Sequence, residues 1–284
     1  MTARYSPHAD LTTRFRAGLV AGIIVGVSVA AGAVELLAPT HGARIFSDRT
    51  KVRLGDVDRV GRLRLDATAR LLQDIATDDA DDAELDRAFG WLVRRTKIVI
   101  GQAAKLGERL EASTWCTGIG RSWAERRSRL VGERGAEIDA VSLWVQIDVA
   151  TGRPARVGDD FRSAYAASAA GRSVSSRLAL AGPTDDCERR AWTIRRTDLD
   201  PFDHVNNAST WAFLEEVARI DAAHQHSGSG EMEYLQPVTH GIDYDLLVDR
   251  RGVGTERSES AGATDAWLVH GGVVHAAARW TPTV

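Results

Sequence analysis

The chain has 284 residues, room for one large domain or two small ones, and its 44 % apolar and 26 % charged residues suit a globular protein with a real core. A net charge of −3 argues against a protein whose main task is to neutralise nucleic-acid phosphates. Cys116 and Cys187 lie far apart, without zinc-site or redox-motif spacing, and read as free thiols in a reducing compartment.

The first element in chain order is an apolar run, Ala17 to Val34, broken by Ser28. Arg14 and Arg16 precede it, and Ala31-Gly32-Ala33 has the small-residue pattern of a signal cleavage site. A spanning helix needs about 20 such residues, so the run is at the short limit. Three readings stay open: a membrane anchor or signal, a helix packed on the domain, or a leader outside the working protein. Residues 1–42 are set aside as an N-terminal extension. The expected location is the cytoplasm, with membrane association through residues 17–34 as the alternative.

Residues 51–55 read as a short strand, followed by a loop carrying Asp56 and Asp58. A helical pattern runs from Asp66 to Ala76, with Leu71, Leu72 and Ile75 on one side. It leads into the acidic run 78–82, which lacks the glycine and final glutamate of a calcium loop and reads as a solvated helix end. Strands follow at 91–100 and 109–117, the second with Leu110, Ala112, Thr114 and Cys116 alternating on one side. Residues 122–131 and 136–148 form a hairpin about the turn 132–135. Arg94, Arg95, Lys97, Arg126, Arg127 and Arg129 read mostly as a solvated sheet face; attraction of an acidic carrier protein or of coenzyme A phosphates is the functional alternative.

Residues 155–190, rich in Ala, Ser and Arg, read as a connecting segment. The second half opens with a strand at 193–197 and a loop carrying Asp198 and Asp200. A helix with Trp211, Leu214, Val217 and Ala218 follows, with Asn206, Asn207 and Ser209 as N-cap candidates. Residues 231–248 and 266–280 read as strands around the polar, glycine-rich stretch 249–264. His224-Gln225-His226 has no further ligands nearby, so no metal is expected, and no cofactor motif is present.

The two halves repeat one another. Residues 52–58 and 194–200 both read apolar-Arg-x-x-Asp-apolar-Asp, at an offset of 142 residues (Asp58 to Asp200). The match continues without a gap: Leu63 falls on Val205, Leu71 on Phe213, Leu72 on Leu214, and Gln73-Asp74 on Glu215-Glu216. It predicts two copies of one α+β unit, residues 43–154 and 191–284, each a long helix wrapped by antiparallel strands, with the two sheets paired edge to edge as a pseudo-dimer.

That order, with the segment Asp198-Leu199-Asp200-Pro201-Phe202-Asp203-His204-Val205-Asn206-Asn207, resembles the hotdog thioesterases, and in particular the acyl-ACP thioesterase family. Members carry two tandem hotdog units and a D-x-D-x-N-x-H-V-N-N segment at the second helix. Gly61-Arg62-Leu63-Arg64-Leu65-Asp66, Gly90-Trp91-Leu92-Val93-Arg94-Arg95, Gly120-Arg121-Ser122-Trp123 with Glu125-Arg126-Arg127, and Ser142-Leu143-Trp144-Val145 resemble its bacterial branch. The likeness runs from about Ile45 to Thr281. The chain departs from the family at Phe202, where members have asparagine, and at Pro237 and Val238, where plant members place a glutamate and a cysteine.

The resemblance implies hydrolysis of acyl-ACP or acyl-CoA thioesters without a cofactor. Asp200 is the candidate base or nucleophile. His204 is the candidate to orient water, bind the thioester oxygen or pass a proton. Asn206 and Asn207 are the candidates to hold the loop and cap the helix, whose first amides would face the carbonyl. The structural alternative is that Asp200 caps a turn and His204 is a satisfied, partly buried histidine. Asp58 is retained in the first copy but Arg62 takes the histidine position, which predicts one working site and one degenerate copy. A non-catalytic acyl-binding hotdog protein and a hotdog (R)-enoyl hydratase or dehydratase are the rival functions, and homo-oligomerisation stays open.

Overall fold

The computed structural model describes residues 38–86, 88–218, 227–250 and 262–283. The apolar run 17–34 and the His224/His226 pair lie outside the described residues. The first half runs β1 (Phe46–Lys51), α1 (Leu65–Asp82), β2 (Phe89–Gln102), β3 (Arg109–Ile119), β4 (Trp123–Gly132) and β5 (Glu137–Asp148). After α2 (Asp159–Ala169), the second half runs β6 (Glu188–Trp192), α3 (Asn207–Ala218), β7 (Gly228–Tyr234), β8 (Tyr244–Arg250), β9 (Thr264–His270) and β10 (Val273–Pro282).

All ten strands form one antiparallel sheet in the order β1-β3-β4-β5-β2-β7-β10-β9-β8-β6. Read inward from either edge, the succession is the same in both halves, so the repeat is one of topology as well as of sequence. The halves join where β2 pairs with β7, from Arg95 opposite Glu233 to Ile100 opposite Gly228. The helix α1 packs on β1 and β3, α3 on β9 and β10, and the two helices pack on each other. One continuous core holds Leu71, Leu72, Ile75 and Ile98 from the first half with Trp211, Phe213, Leu214 and Trp280 from the second. Gly230 in β7 lies beneath the Trp211 ring, where an added Cβ would stand 2.8 Å from it. This is the expected α+β fold with two tandem hotdog units.

Several local expectations are corrected. The strands predicted at 51–55 and 193–197 end earlier, because the Arg53 N–H donates to Asp56 Oδ2 and the Arg195 N–H to Asp198 Oδ2, both at 2.8 Å. Each aspartate thereby closes a 3-10 turn, Leu54–Asp56 or Arg196–Asp198, and stops the extended chain. The stretch 231–248 divides into β7 and β8, with Pro237, which has no N–H to give a ladder, between them. The stretch 266–280 divides at Gly271 and Gly272, both at positive φ. The connecting segment contains α2, whose Phe161, Tyr165 and Ala169 recur every four residues and are buried.

The acidic run 78–82 forms the last turns of α1 and is not wholly solvated. Asp79 is completely buried and is bound by Arg126, by the Tyr165 hydroxyl at 2.7 Å and by Arg44 Nε at 3.1 Å. Arg126 and Arg127 are likewise buried rather than on a solvated face, and Arg127 pairs with Asp139 at 2.5 Å. A buried charge persists when a partner of opposite sign and hydrogen bonds replace its water, and this cluster ties α1, β4 and α2 together.

Candidate active site

The loops before α1 and α3 match atom for atom. Asp200 Oδ1 accepts the N–H groups of Phe202 at 2.9 Å and His204 at 3.2 Å, and the Asp200 N–H donates to the His204 carbonyl at 2.8 Å. Asp58 Oδ1 accepts the N–H groups of Val60 at 3.0 Å and Arg62 at 2.9 Å, and the Asp58 N–H donates to the Arg62 carbonyl at 2.8 Å. Asp203 and Gly61 take equivalent positive-φ positions. One oxygen of each aspartate therefore does cap a turn.

The other oxygen separates the two loops. Asp58 Oδ2 is held by Arg62, whose Nε lies at 3.1 Å and Nη2 at 2.9 Å, and Arg62 also faces Glu215 at 3.6 Å. Asp200 Oδ2 has no hydrogen-bond partner among the described residues, and the side chains of Asp200 and His204 are not bonded to each other. The first loop is locked by an internal ion pair; the second leaves a carboxylate oxygen free.

Asp200 borders open space on two sides. A cavity of about 200 Å³ is lined by Asp200, Phe202, His204 and Asn207, with Val93, Ile147 and Val238. A second, of about 360 Å³, is lined by Asp200, Phe202 and Asn207 again, with Ala76, Cys116, Ala124, Trp144 and Phe161. Trp91 and Leu92 also border both. Asp200 and Asn207 thus sit where two largely apolar limbs meet, and Phe202, in the position of the family's asparagine, helps wall both. Two charged residues of the second limb are neutralised by partners: Arg126 by Asp79, and Glu125 by Arg172 at 3.2 Å.

The first limb also receives two residues that the sequence pattern did not single out for this place. Arg94 is the extra residue of a bulge in β2, donates to the Leu235 carbonyl at 3.2 Å, and has its pKa lowered by burial. His275 is the extra residue of a bulge in β10 and places Nδ1 2.8 Å from the Pro237 carbonyl. A carbonyl only accepts, so Nδ1 carries the proton in that contact. A bulge turns a side chain away from the regular alternation, and a two-residue period hides it.

The start of α3 is held from three directions. Asn206 Oδ1 accepts the Ala208 N–H at 2.8 Å, and the Asn206 N–H donates to the Asp198 carbonyl at 2.8 Å. The Tyr234 hydroxyl donates to the Asn207 carbonyl at 3.0 Å and accepts from Trp211 Nε1 at 2.9 Å. Burial pushes the Tyr234 phenol far up, so it stays a neutral donor. The Asn207 N–H has no partner among the described residues. Its counterpart in the first half, the Leu65 N–H, donates to Glu215 Oε2 at 2.6 Å. Burial raises the Glu215 carboxyl to about 7, against the pull of that N–H and of Arg62.

Residues 43–165 match the acyl-ACP thioesterase N-terminal domain and residues 182–280 the acyl-ACP thioesterase C-terminal domain. Among solved structures, a 12:0-ACP thioesterase from Umbellularia californica is similar with a TM-score of 0.68 at 20 % identity, over 84 % of this chain and 98 % of that one. An acyl-ACP thioesterase from Bacteroides thetaiotaomicron is similar with a TM-score of 0.69 at 16 % identity, over 84 % and 97 %. At those identities the likeness shows the double-hotdog fold. An uncharacterised protein of Mycobacterium tuberculosis is 27 % identical over 198 residues, which is 69 % of this chain and 79 % of that protein. The two domain matches follow one another along the chain with the loop of Asp200 inside the second, and on them the chain belongs to the acyl-ACP thioesterase family, thiolester hydrolases that release fatty acid and carrier thiol.

Proposed function

We propose that hydrolysis takes place at the junction of the two limbs, with Asp200 as general base and His204 beside it. The observation that carries this is the contrast between equivalent loops. Arg62 occupies Asp58 Oδ2, whereas Asp200 Oδ2 has no partner among the described residues and Asp200 borders both cavities. In this reading a water bound by Asp200 attacks the thioester carbonyl carbon, and the carboxylate takes its proton. The negative charge that develops on the carbonyl oxygen is met by the open Asn207 N–H at the positive end of α3. As the C–S bond breaks, the proton returns to the leaving thiolate, with His204 placed in the thiol's limb to relay it. Asn206 caps the helix and keeps that end in position.

The acyl chain lies in the limb of Cys116, Ala124 and Phe161, where the apolar lining is uninterrupted by any unpaired cation. The carrier arm takes the limb of His204, Arg94 and His275. Both acyl carrier protein and coenzyme A present such an arm, and the partly buried Arg94 guanidinium in that limb suits its polar groups. Two free thiols, Cys116 buried and Cys187 half-buried, suit a reducing cytoplasm, and membership of the acyl-ACP thioesterase family suits a place in fatty acid synthesis. Among the described residues no helix is long and apolar enough to cross a membrane. Residues 43–154 and 191–284 are the two working units, linked by 155–190.

Free-thiol release from a panel of acyl-CoA and acyl-ACP thioesters tests the site. Asp200→Ala is expected to lower kcat at least about 100-fold, the usual worth of a general base, and His204→Ala about 10-fold or more. Wild-type turnover in Asp200→Ala would remove Asp200 from the chemistry.

A further inference from the structure

The working site contains a residue from the other half of the chain. Gln73 is the ninth residue of α1 and Glu215 the ninth of α3, and the internal repeat places one on the other. Each helix turns that position toward the start of its partner. Glu215 reaches across and puts a carboxylate oxygen 2.6 Å from the Leu65 N–H, the first amide of α1. Gln73 borders the limb of Cys116 and Phe161 and a small neighbouring cavity, and Asn207, the first residue of α3, borders both. The Gln73 side-chain amide has no hydrogen-bond partner among the described residues, and neither has the Asn207 N–H.

The degenerate half therefore carries an internal template of the working one. The Glu215 oxygen at the Leu65 amide marks a point where the fold holds an acceptor oxygen against the first N–H of a helix. In the second half the equivalent point is not filled by a carboxylate, because Gln73 is a neutral side chain of the same shape. A carboxylate there would cover the amide and repel both Asp200 and the oxyanion. An amide leaves the point open and adds a donor of its own.

Resting on the assignment of the reaction to the Asp200 junction, we propose that Gln73 is a catalytic residue whose side-chain N–H, together with the Asn207 N–H, binds the carbonyl oxygen of the thioester as it becomes an oxyanion. The two halves thus build one site jointly: the first supplies Gln73 from α1, and the second supplies Asp200, His204 and the start of α3.

The test is kcat and KM against pH for the full chain and for Gln73→Ala, Gln73→Glu and Asp200→Ala. Gln73→Ala loses one oxyanion donor, so kcat falls about 100-fold while KM stays within about twofold. Gln73→Glu reproduces the Glu215 arrangement at the working end. The charged and titratable groups sharing its cavities are Asp81 on α1, Cys116 on β3, Glu125 and Arg126 on β4, Asp200 in the loop and Tyr234 on β7. Above the pKa of the introduced carboxyl the amide is sealed and turnover is lost. Below it the neutral acid donates again, so activity relative to wild type rises as pH falls. Burial raises the equivalent Glu215 carboxyl to about 7, and burial moves the introduced carboxyl in the same upward direction. Misfolding would not reverse with pH, so this profile decides the matter even if Gln73→Ala is unstable. Wild-type kcat in both variants, with a Gln73→Glu profile that overlays the wild type, overturns the proposal while Asp200→Ala remains inactive. Full turnover in Asp200→Ala overturns the underlying site as well.

Discussion

At the scale of single residues, one difference separates the carboxylate proposed to work from its structural counterpart. Asp58 and Asp200 make the same turn with the same oxygen, and the residue four positions on decides the fate of the other. Arg62 is long enough to fold back onto Asp58 and charged enough to stay there; both side chains of that pair are less than a tenth exposed. His204 forms no such bond, and Asp200 Oδ2 remains available to a water. Asp58→Ala should therefore spare catalysis and cost stability. It strips Arg62 of its nearest counter-charge in a buried setting and removes the acceptor of two turn N–H groups. Breaking a buried ion pair from one side costs about 3–5 kcal/mol, and the remaining contact of Arg62 with Glu215 at 3.6 Å places this case at the lower end. Denaturant midpoints paired with thiol-release rates below the transition check it. A loss of kcat equal to that of Asp200→Ala, in folded protein, would mean that both loops are catalytic.

At the scale of elements, what could be read from the chain followed regular periods, and what escaped broke them. The 3.6-residue stripe of Leu71, Leu72 and Ile75 located α1, and alternation through Leu110, Ala112 and Thr114 located β3. The fold and the loop of Asp200 were legible for that reason and because the chain states its pattern twice. Arg94 and His275 were not legible as neighbours of that loop, since each stands at a bulge where the two-residue period fails. Gln73 was legible as the counterpart of Glu215, but its place opposite Asn207 depends on how α1 lies against α3, which no local pattern encodes. Asp79 looked solvated because its neighbours are acidic; its burial depends on Arg126, 47 residues away in β4. On the proposed placement of the acyl chain, the strand β4 also sets a limit on substrate. Ala124 is buried and lines the limb assigned to the acyl chain. Ala124→Phe fills that limb, and each displaced methylene forfeits about 0.8 kcal/mol of burial. Long acyl thioesters should lose at least about 10-fold in kcat/KM relative to short ones on the same panel. An unchanged chain-length profile would place the acyl chain elsewhere.

At the scale of the whole molecule, the repeat does not divide the protein into two independently stable parts. The core is continuous across the junction, with Ile98 of β2 and Trp211 of α3 in one cluster. The sheet is continuous as well, and Trp211 is seated over Gly230 in the strand that joins the halves. Removing either half would expose the long edge of β2 or of β7 together with the apolar face of a helix, which is the surface of an aggregating fragment. The site has the same requirement, because its cavities take Trp91, Leu92 and Gln73 from one half and Asp200 and Asn207 from the other. Shared core and shared sheet make unfolding of one half costly to the other, so the folded domain should melt as a unit. Urea titration followed by far-ultraviolet circular dichroism, by tryptophan fluorescence and by thioesterase activity should give coincident midpoints. The eight tryptophans are spread over both halves, so fluorescence reports on each. Two separated transitions, with activity lost in the first, would show that the halves hold together less tightly than their common core requires.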